Sequence, residues 1–170
     1  MNRTKELRTA RLLLREVRPE DAAGLHQELG LVPEMWAYTG WNPYGTLAEA
    51  ESKIAEDLKS DALGETCSWV MEWAGECAGL IAAYDYDPAE GSIEIGYSVF
   101  RRFWGRGLAT EAAGAVVAYL AELPDIRSVR AWAEPENVGS VKVLEGAGLR
   151  QVGREGDRLT FEKRMKGSSL

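Results

Sequence analysis

An α/β fold is predicted, a single domain in which helices flank a mixed, largely antiparallel central sheet. Residues 66–100 carry three successive strand-like segments separated by short turn sequences, the last of them alternating apolar with smaller or polar residues, the pattern of an antiparallel meander. Residues 107–164 then read as helix, strand, helix and two strands, which completes an α/β layout. At 170 residues the chain fits one core, and no linker long enough to divide it is present.

The elements follow in order. ARLLLREV (10–17) reads as an opening strand. RPEDAAGLHQEL places Pro19 and acidic residues in the first turn of a helix. Thr46 offers an N-cap, and Glu49 completes a capping box for a second helix over LAEAESKIAEDLKSDAL. The intervening PEMWAYTGWNPYGT, rich in aromatics and turn formers, reads as a loop. TCSWVMEW and ECAGLIAAYDYD form a hairpin across Ala74 and Gly75. GSIEIGYSVF (91–100) is the next strand, antiparallel to its predecessor across DPAEG, with Ile93, Ile95, Tyr97 and Val99 alternating with smaller or polar residues. GLATEAAGAVVAYLAEL is helical and closed by Pro124, IRSVRAWAE is a strand, and ENVGSVKVLEGAG is a short helix ending at glycines. LRQVGRE and RLTFEKRM form a last hairpin, and the tail, residues 165–170, is expected to fray.

Composition excludes several classes of function. A formal net charge of −7 disfavours nucleic acid, whose backbone demands a basic surface. Cys67 and Cys77 have neither the spacing of a zinc site nor the density of a disulfide scaffold, so reduced thiols and no metal are expected. No apolar run approaches a membrane span, and the three leucines near the N-terminus are too few for a signal peptide's apolar region. A cytoplasmic protein without nucleic-acid or membrane partners is therefore expected.

The stretch RRFWGRGLATEA (101–112) sets arginines around Gly105 and Gly107 immediately before a helix. A helix N-terminus exposes unpaired N–H groups and the positive end of a dipole, and glycines let a bulky anion approach the backbone. A diphosphate would suit such a site; a tight strand-to-helix turn with solvated arginines uses the same residues. A dinucleotide fingerprint fits worse, because Thr110 occupies the third glycine position, and no Gly-Lys-Ser/Thr of a Walker loop follows.

Arg102, Gly105 and Gly107 match the R/Q-x-x-G-x-G/A loop of the GNAT N-acetyltransferases, and FWGRGLATEA resembles its RimJ/RimL-like branch. NVGSVKVLEGAGL (137–149) is similar to the family's N-x-x-S…L-E-x-x-G-F block, and LRTARLLLREVRPED resembles the start of that branch. The resemblance implies a GNAT fold, acetyl-CoA as cosubstrate, and direct transfer of the acetyl group to a primary amine. It places the coenzyme on Val99, Arg102, Gly105, Arg106, Gly107, Leu108, Ala109, Asn137 and Ser140, with an oxyanion donor from the strand ending at Val99. It places the amine acceptor, a protein N-terminus or a small molecule, beside the aromatic loop with Trp36, Trp41 and Tyr44. A homodimer is among the expected assemblies. The chain departs from the family at Leu144, where many members carry the tyrosine that protonates the thiolate, and at Gly146 and Leu149, in place of a basic residue and a phenylalanine.

An ammonium cannot attack a thioester. A lysine amine, with a reference pKa of about 10.4, needs a proton acceptor more than an α-amine of about 7.7–8.0. Glu94, an acid within an apolar strand, is the expected base, with a cross-strand salt bridge as its structural alternative. With Leu144 unable to donate, Ser140 or water is the expected source of the thiol proton. Asn137 and Ser140 would equally serve a helix start. His26 lacks partners and reads as a surface or groove residue, and Trp36, Tyr38, Trp41 and Tyr44 read as satellite packing or as a cation–π face for an amine. A non-catalytic acyl-CoA-binding module is the alternative to an enzyme.

Overall fold

Among the described residues eight strands form one sheet, which follows chain order except that the last two strands are exchanged. The computed structural model describes residues 2–165. The strands are β1 (Leu7–Arg8), β2 (Leu12–Glu16), β3 (Cys67–Trp73), β4 (Glu76–Asp87), β5 (Ser92–Val99), β6 (Ser128–Ala133), β7 (Arg150–Glu155) and β8 (Arg158–Arg164). Every neighbouring pair is antiparallel except β5 with β6. The β3–β4 hairpin turns at Ala74 and Gly75, with φ of 52° and 83°, the two left-handed residues that match the twist of a two-residue hairpin. Met165, expected to fray with the tail, is instead tied down: its N–H donates to the Arg127 carbonyl at 2.8 Å and it is 7 % exposed. The rest of that tail lies outside the described residues.

Side chains alternate across the pleat, so Ile93, Ile95 and Tyr97 share one face of β5 while Ser92, Glu94 and Gly96 share the other. The first face is covered by α3 (Leu108–Ala121) and α4 (Val138–Gly146): Trp69 of β3 packs edge-on against Tyr119 of α3, and Tyr97 bonds to α4. The opposite face is covered by α1 (Ala22–Leu25) and α2 (Leu47–Ala62), whose Leu25 and Ile54 are buried with Val17, Leu80 and Ala82 around a small void. Thr46 caps α2 by accepting from the Glu49 N–H at 3.1 Å; the reciprocal glutamate arm is absent among the described hydrogen bonds. Cys67 and Cys77 are free thiols, and burial pushes both up to about 11.

The first predicted helix is shorter and less regular than its pattern suggests. A 3₁₀ turn over Pro19–Asp21 leads into α1, and a widened π turn over His26–Gly30 follows. The widening occurs where the chain meets the aromatic loop: His26 Nδ1 lies 2.7 Å from the Tyr44 carbonyl oxygen, and the Asn42 amide donates to the Gly30 carbonyl at 2.9 Å. Gly30 is pressed so closely on this loop that a Cβ would fall 1.7 Å from the Tyr44 oxygen, whereas Gly24, in α1, has nothing within 4 Å of the same position. Gly30→Ala is therefore expected to lower stability by about 1–3 kcal/mol through overpacking against backbone. Gly24→Ala, gaining helix propensity, should raise it by about 0.5–1 kcal/mol. Urea or thermal melting of the two variants checks the opposite signs.

Candidate active site

The parallel pairing of β5 with β6 ends early. Ser92, Ile93 and Glu94 pair with Ser128, Val129 and Arg130, and the two strands then separate. Beyond Glu94, β5 stays bonded to β4 as far as Val99 opposite Gly79, while no strand among the described residues pairs with its other edge. A β-strand with one open edge in the middle of a sheet offers backbone N–H and C=O groups to an extended, amide-bearing ligand.

A groove of about 710 Å³ lies along that edge. Tyr97–Val99 form its floor, Gly105–Thr110 one end, Asn137, Ser140 and Val143 a wall, and Met35 and Tyr38 part of its roof. The end formed by α3 is built for an anion. Gly107, at φ 75°, is the N-cap, and it has no side chain with which to satisfy the first turn. The first intrahelical backbone bond runs from Glu111 N–H to the Gly107 carbonyl at 3.1 Å, and the N–H groups of Leu108, Ala109 and Thr110 meet no acceptor among the described residues. Three unpaired donors and the positive end of a 14-residue helix thus face the groove together. Gly105, at φ 78°, supplies the other left-handed residue of the turn.

The arginines of this loop differ. Arg106 lines the groove, stacks at 5.2 Å over Trp73, and has no carboxylate partner among the described residues. Arg102 does not line it, contrary to expectation, because its guanidinium is held by Glu28 at 3.0 Å and Glu76 at 3.5 Å. The loop is fastened from behind by Glu111, which accepts from the Arg11 backbone N–H and Nε at 2.9 and 2.8 Å and from Thr9. Burial pushes the Glu111 carboxyl up, but the hydrogen bonds from Thr9 and Arg11 outweigh it and hold the group below the usual carboxylate range.

At the start of α4, Asn137 acts as the N-cap: its Oδ1 accepts from the Ser140 N–H at 3.2 Å, which leaves the amide hydrogens of this groove residue as its remaining donors. Ser140 Oγ lies 2.8 Å from the Tyr97 hydroxyl. Leu144 is 1 % exposed in the core, so the side chain that replaces the family tyrosine does not reach the groove surface. Gly146 ends α4 where a Cβ would fall 2.8 Å from Thr110 Cγ2, which accounts for the missing basic residue as a close helix crossing, and Leu149 is core.

The structure does not bring every expected residue to this groove. Glu94 projects from the other face of β5, at the last bonded position before the strands part. Burial pushes its carboxyl above the usual range, Asp85 adds to the shift, and Arg158 and Arg130 oppose it. Trp36 and Tyr44 do not line this groove: they pack on each other at 5.9 Å, with Tyr44 only 5 % exposed and the Trp36 indole donating to the Leu29 carbonyl. Trp41 is 62 % exposed and outside the groove lining. The 3₁₀ turn over Pro33–Trp36 instead turns Glu34, Met35, Ala37 and Tyr38 inward. Tyr97 and Trp104, whose indole donates to the Val99 carbonyl at 2.8 Å, also line the groove, beyond the residues expected there. The alternation of β5 is the signal for Tyr97, and Trp104 falls within the glycine-loop stretch RRFWGRGLATEA.

Comparison with known proteins agrees with this geometry. A family model described as an acetyltransferase (GNAT) domain matches residues 11–150. The chain is 30 % identical over 149 residues to a Bacillus licheniformis protein named "Uncharacterized N-acetyltransferase p20", covering 86 % of this chain and 83 % of that one. Its fold is similar to a RimL ribosomal alpha-N-protein acetyltransferase solved with coenzyme A (TM-score 0.86, 19 % identity, 96 % of this chain and 100 % of the other). It is also similar to Mycobacterium smegmatis RimJ solved with a CoA disulfide (TM-score 0.79, 24 % identity, 90 % and 81 %). With the matched domain spanning most of its length, an open β5 edge, and an uncapped helix beside it, the chain belongs to the GNAT acetyltransferase family.

Proposed function

We propose that the protein transfers the acetyl group of acetyl-CoA to a primary amine, with the α-amine of a peptide or protein as the leading acceptor class and small amines as the second. The observation that carries this reading is the uncapped N-terminus of α3 facing the open edge of β5 in one groove. The diphosphate is assigned to the N–H groups around Gly105, Gly107, Leu108 and Ala109 with Arg106 beside them, and the amide-bearing arm to the free edge up to Val99 and to Asn137. Similarity to RimL and RimJ supports the protein α-amine, which also demands less of a base than a lysine amine does.

Glu94 lies on the sheet face opposite the coenzyme groove, at the gap between β5 and β6. An amine approaching through that gap would meet the thioester carbon from the side away from α3 and α4. The C–N bond forms as the C–S bond breaks, Glu94 accepts the amine proton directly or through water, and a β5 backbone N–H bears the developing oxyanion. Ser140 is assigned to a hydrogen bond on the departing sulfur.

Mixing the protein with acetyl-CoA and a panel of peptides and small amines, and reading released thiol, tests the reaction. Thiol release with at least one amine is expected, while coenzyme binding without release from any would leave only a binding module. In calorimetry, Arg106→Ala should weaken CoA binding about ten-fold, the scale of one charge-assisted contact. Arg102→Ala should leave it nearly unchanged, because that side chain is engaged by Glu28 and Glu76. Since Glu94 works only as the carboxylate, kcat at saturating amine should fall as pH drops through its raised pKa. Glu94→Gln should lower kcat about 100-fold, the scale of a lost general base, and remove that limb of the profile without changing CoA affinity.

A further inference from the structure

We infer that Tyr97 is a positioning residue that fixes the hydroxyl of Ser140 toward the sulfur of the bound thioester, an assignment that rests on the acetyl-transfer reading above. Both side chains line the groove, and their oxygens are 2.8 Å apart, joining β5 to the first turn of α4. A phenol carries one proton, and two Ser140 oxygens compete for it: Oγ at 2.8 Å and the main-chain carbonyl at 3.2 Å. The shorter contact goes to Oγ. When Tyr97 donates there, the serine's own O–H is released from the pair and turns to the groove, where it can donate a hydrogen bond to a developing thiolate. Without the phenol, the serine hydroxyl rotates freely and can bond back to a carbonyl of the preceding turn, a common fate for serine in a helix.

The pair serves as two hydrogen bonds in series. Burial pushes the Tyr97 phenol up to about 12, so it stays protonated at neutral pH and is a far weaker acid than a thiol of about 8.5. The phenol therefore does not protonate the thiolate: the proton the amine loses passes through Glu94 to solvent, solvent returns one to the sulfur, and Ser140 contributes a hydrogen-bond donor aimed at the charge that develops there. Of the two expected sources of the thiol proton, Ser140 and water, this assignment takes water and keeps Ser140 as a hydrogen-bond donor. It also gives a structural account of how the chain manages with a buried Leu144: a hydroxyl from β5, acting through α4, faces the same groove.

A double-mutant cycle tests the assignment. Tyr97→Phe keeps the ring and removes only the hydroxyl; it should lower kcat about ten-fold and leave the KM for acetyl-CoA and the melting temperature nearly unchanged. Ser140→Ala should lower kcat by at least as much, and adding Tyr97→Phe to Ser140→Ala should produce no further loss. Ser140→Thr, which keeps a hydroxyl, should restore the sensitivity to Tyr97→Phe. Unchanged turnover in Tyr97→Phe, a loss of full size that persists in the Ser140→Ala background, or a change confined to KM overturns the assignment while thiol release by the wild type stands. A wild type that binds acetyl-CoA yet releases no thiol with any amine removes the transfer reading first, and this assignment with it.

Discussion

The separation of β5 from β6 after Glu94 and Arg130 is the constraint on which the rest of the site depends. Backbone groups in a protein interior must be paired, and a strand that loses its neighbour halfway along a sheet leaves a row of them open. Here that row is neither covered by a helix nor blunted by charge. It becomes the floor of a groove, with α3 and α4 as its flank and the turn of residues 33–38 above. Because side chains alternate along β5, the same strand sends Tyr97 to one side and Glu94 to the other, so the groove and the proposed base lie the thickness of a single strand apart. The gap between the strands is what connects them.

The sheet reaches this arrangement through well-satisfied polar contacts on either side. Arg15, 8 % exposed, is held by both oxygens of Asp21 and by Glu72, and this anchors β2 to the turn that begins α1. Buried Asp61 at the end of α2 accepts from Thr4, Thr66 and Ser68, tying the N-terminal segment to the start of β3. Among the described residues no buried side-chain nitrogen or oxygen lacks a partner. The backbone donors left open at α3 stand out against that background, and an unpaired donor in a molecule that otherwise pairs its polar groups marks a place for a ligand.

Much of the fold was legible because its periods are clean. The β5 strand, the helix over 108–121 and the β3–β4 hairpin follow from alternation, helical composition and the glycine that breaks the apolar run at position 75. The glycine loop was legible too, since Gly105 and Gly107 are both left-handed and the latter caps nothing. What sequence could not supply was direction. Arg102 and Arg106 are four residues apart in one loop, yet one faces carboxylates from other parts of the chain and the other the groove. Trp36, Tyr44 and Trp41 lie in an aromatic loop whose 3₁₀ turn selects other residues to face inward. Those choices depend on Glu28, Glu76 and Leu29, which are distant in sequence or unremarkable in it. The hydroxyl of Tyr97 was hidden for the same reason: its partner is 43 residues away.

The fastening of the glycine loop by Glu111 has one more consequence. Arg11 and Thr9, at the edge of the sheet, hold the first turn of α3 from the side away from the groove, so the loop's shape is already set before any anion arrives. Little conformational freedom remains to be surrendered on association, and the attraction between phosphate and backbone dipoles can be expressed almost undiminished as affinity.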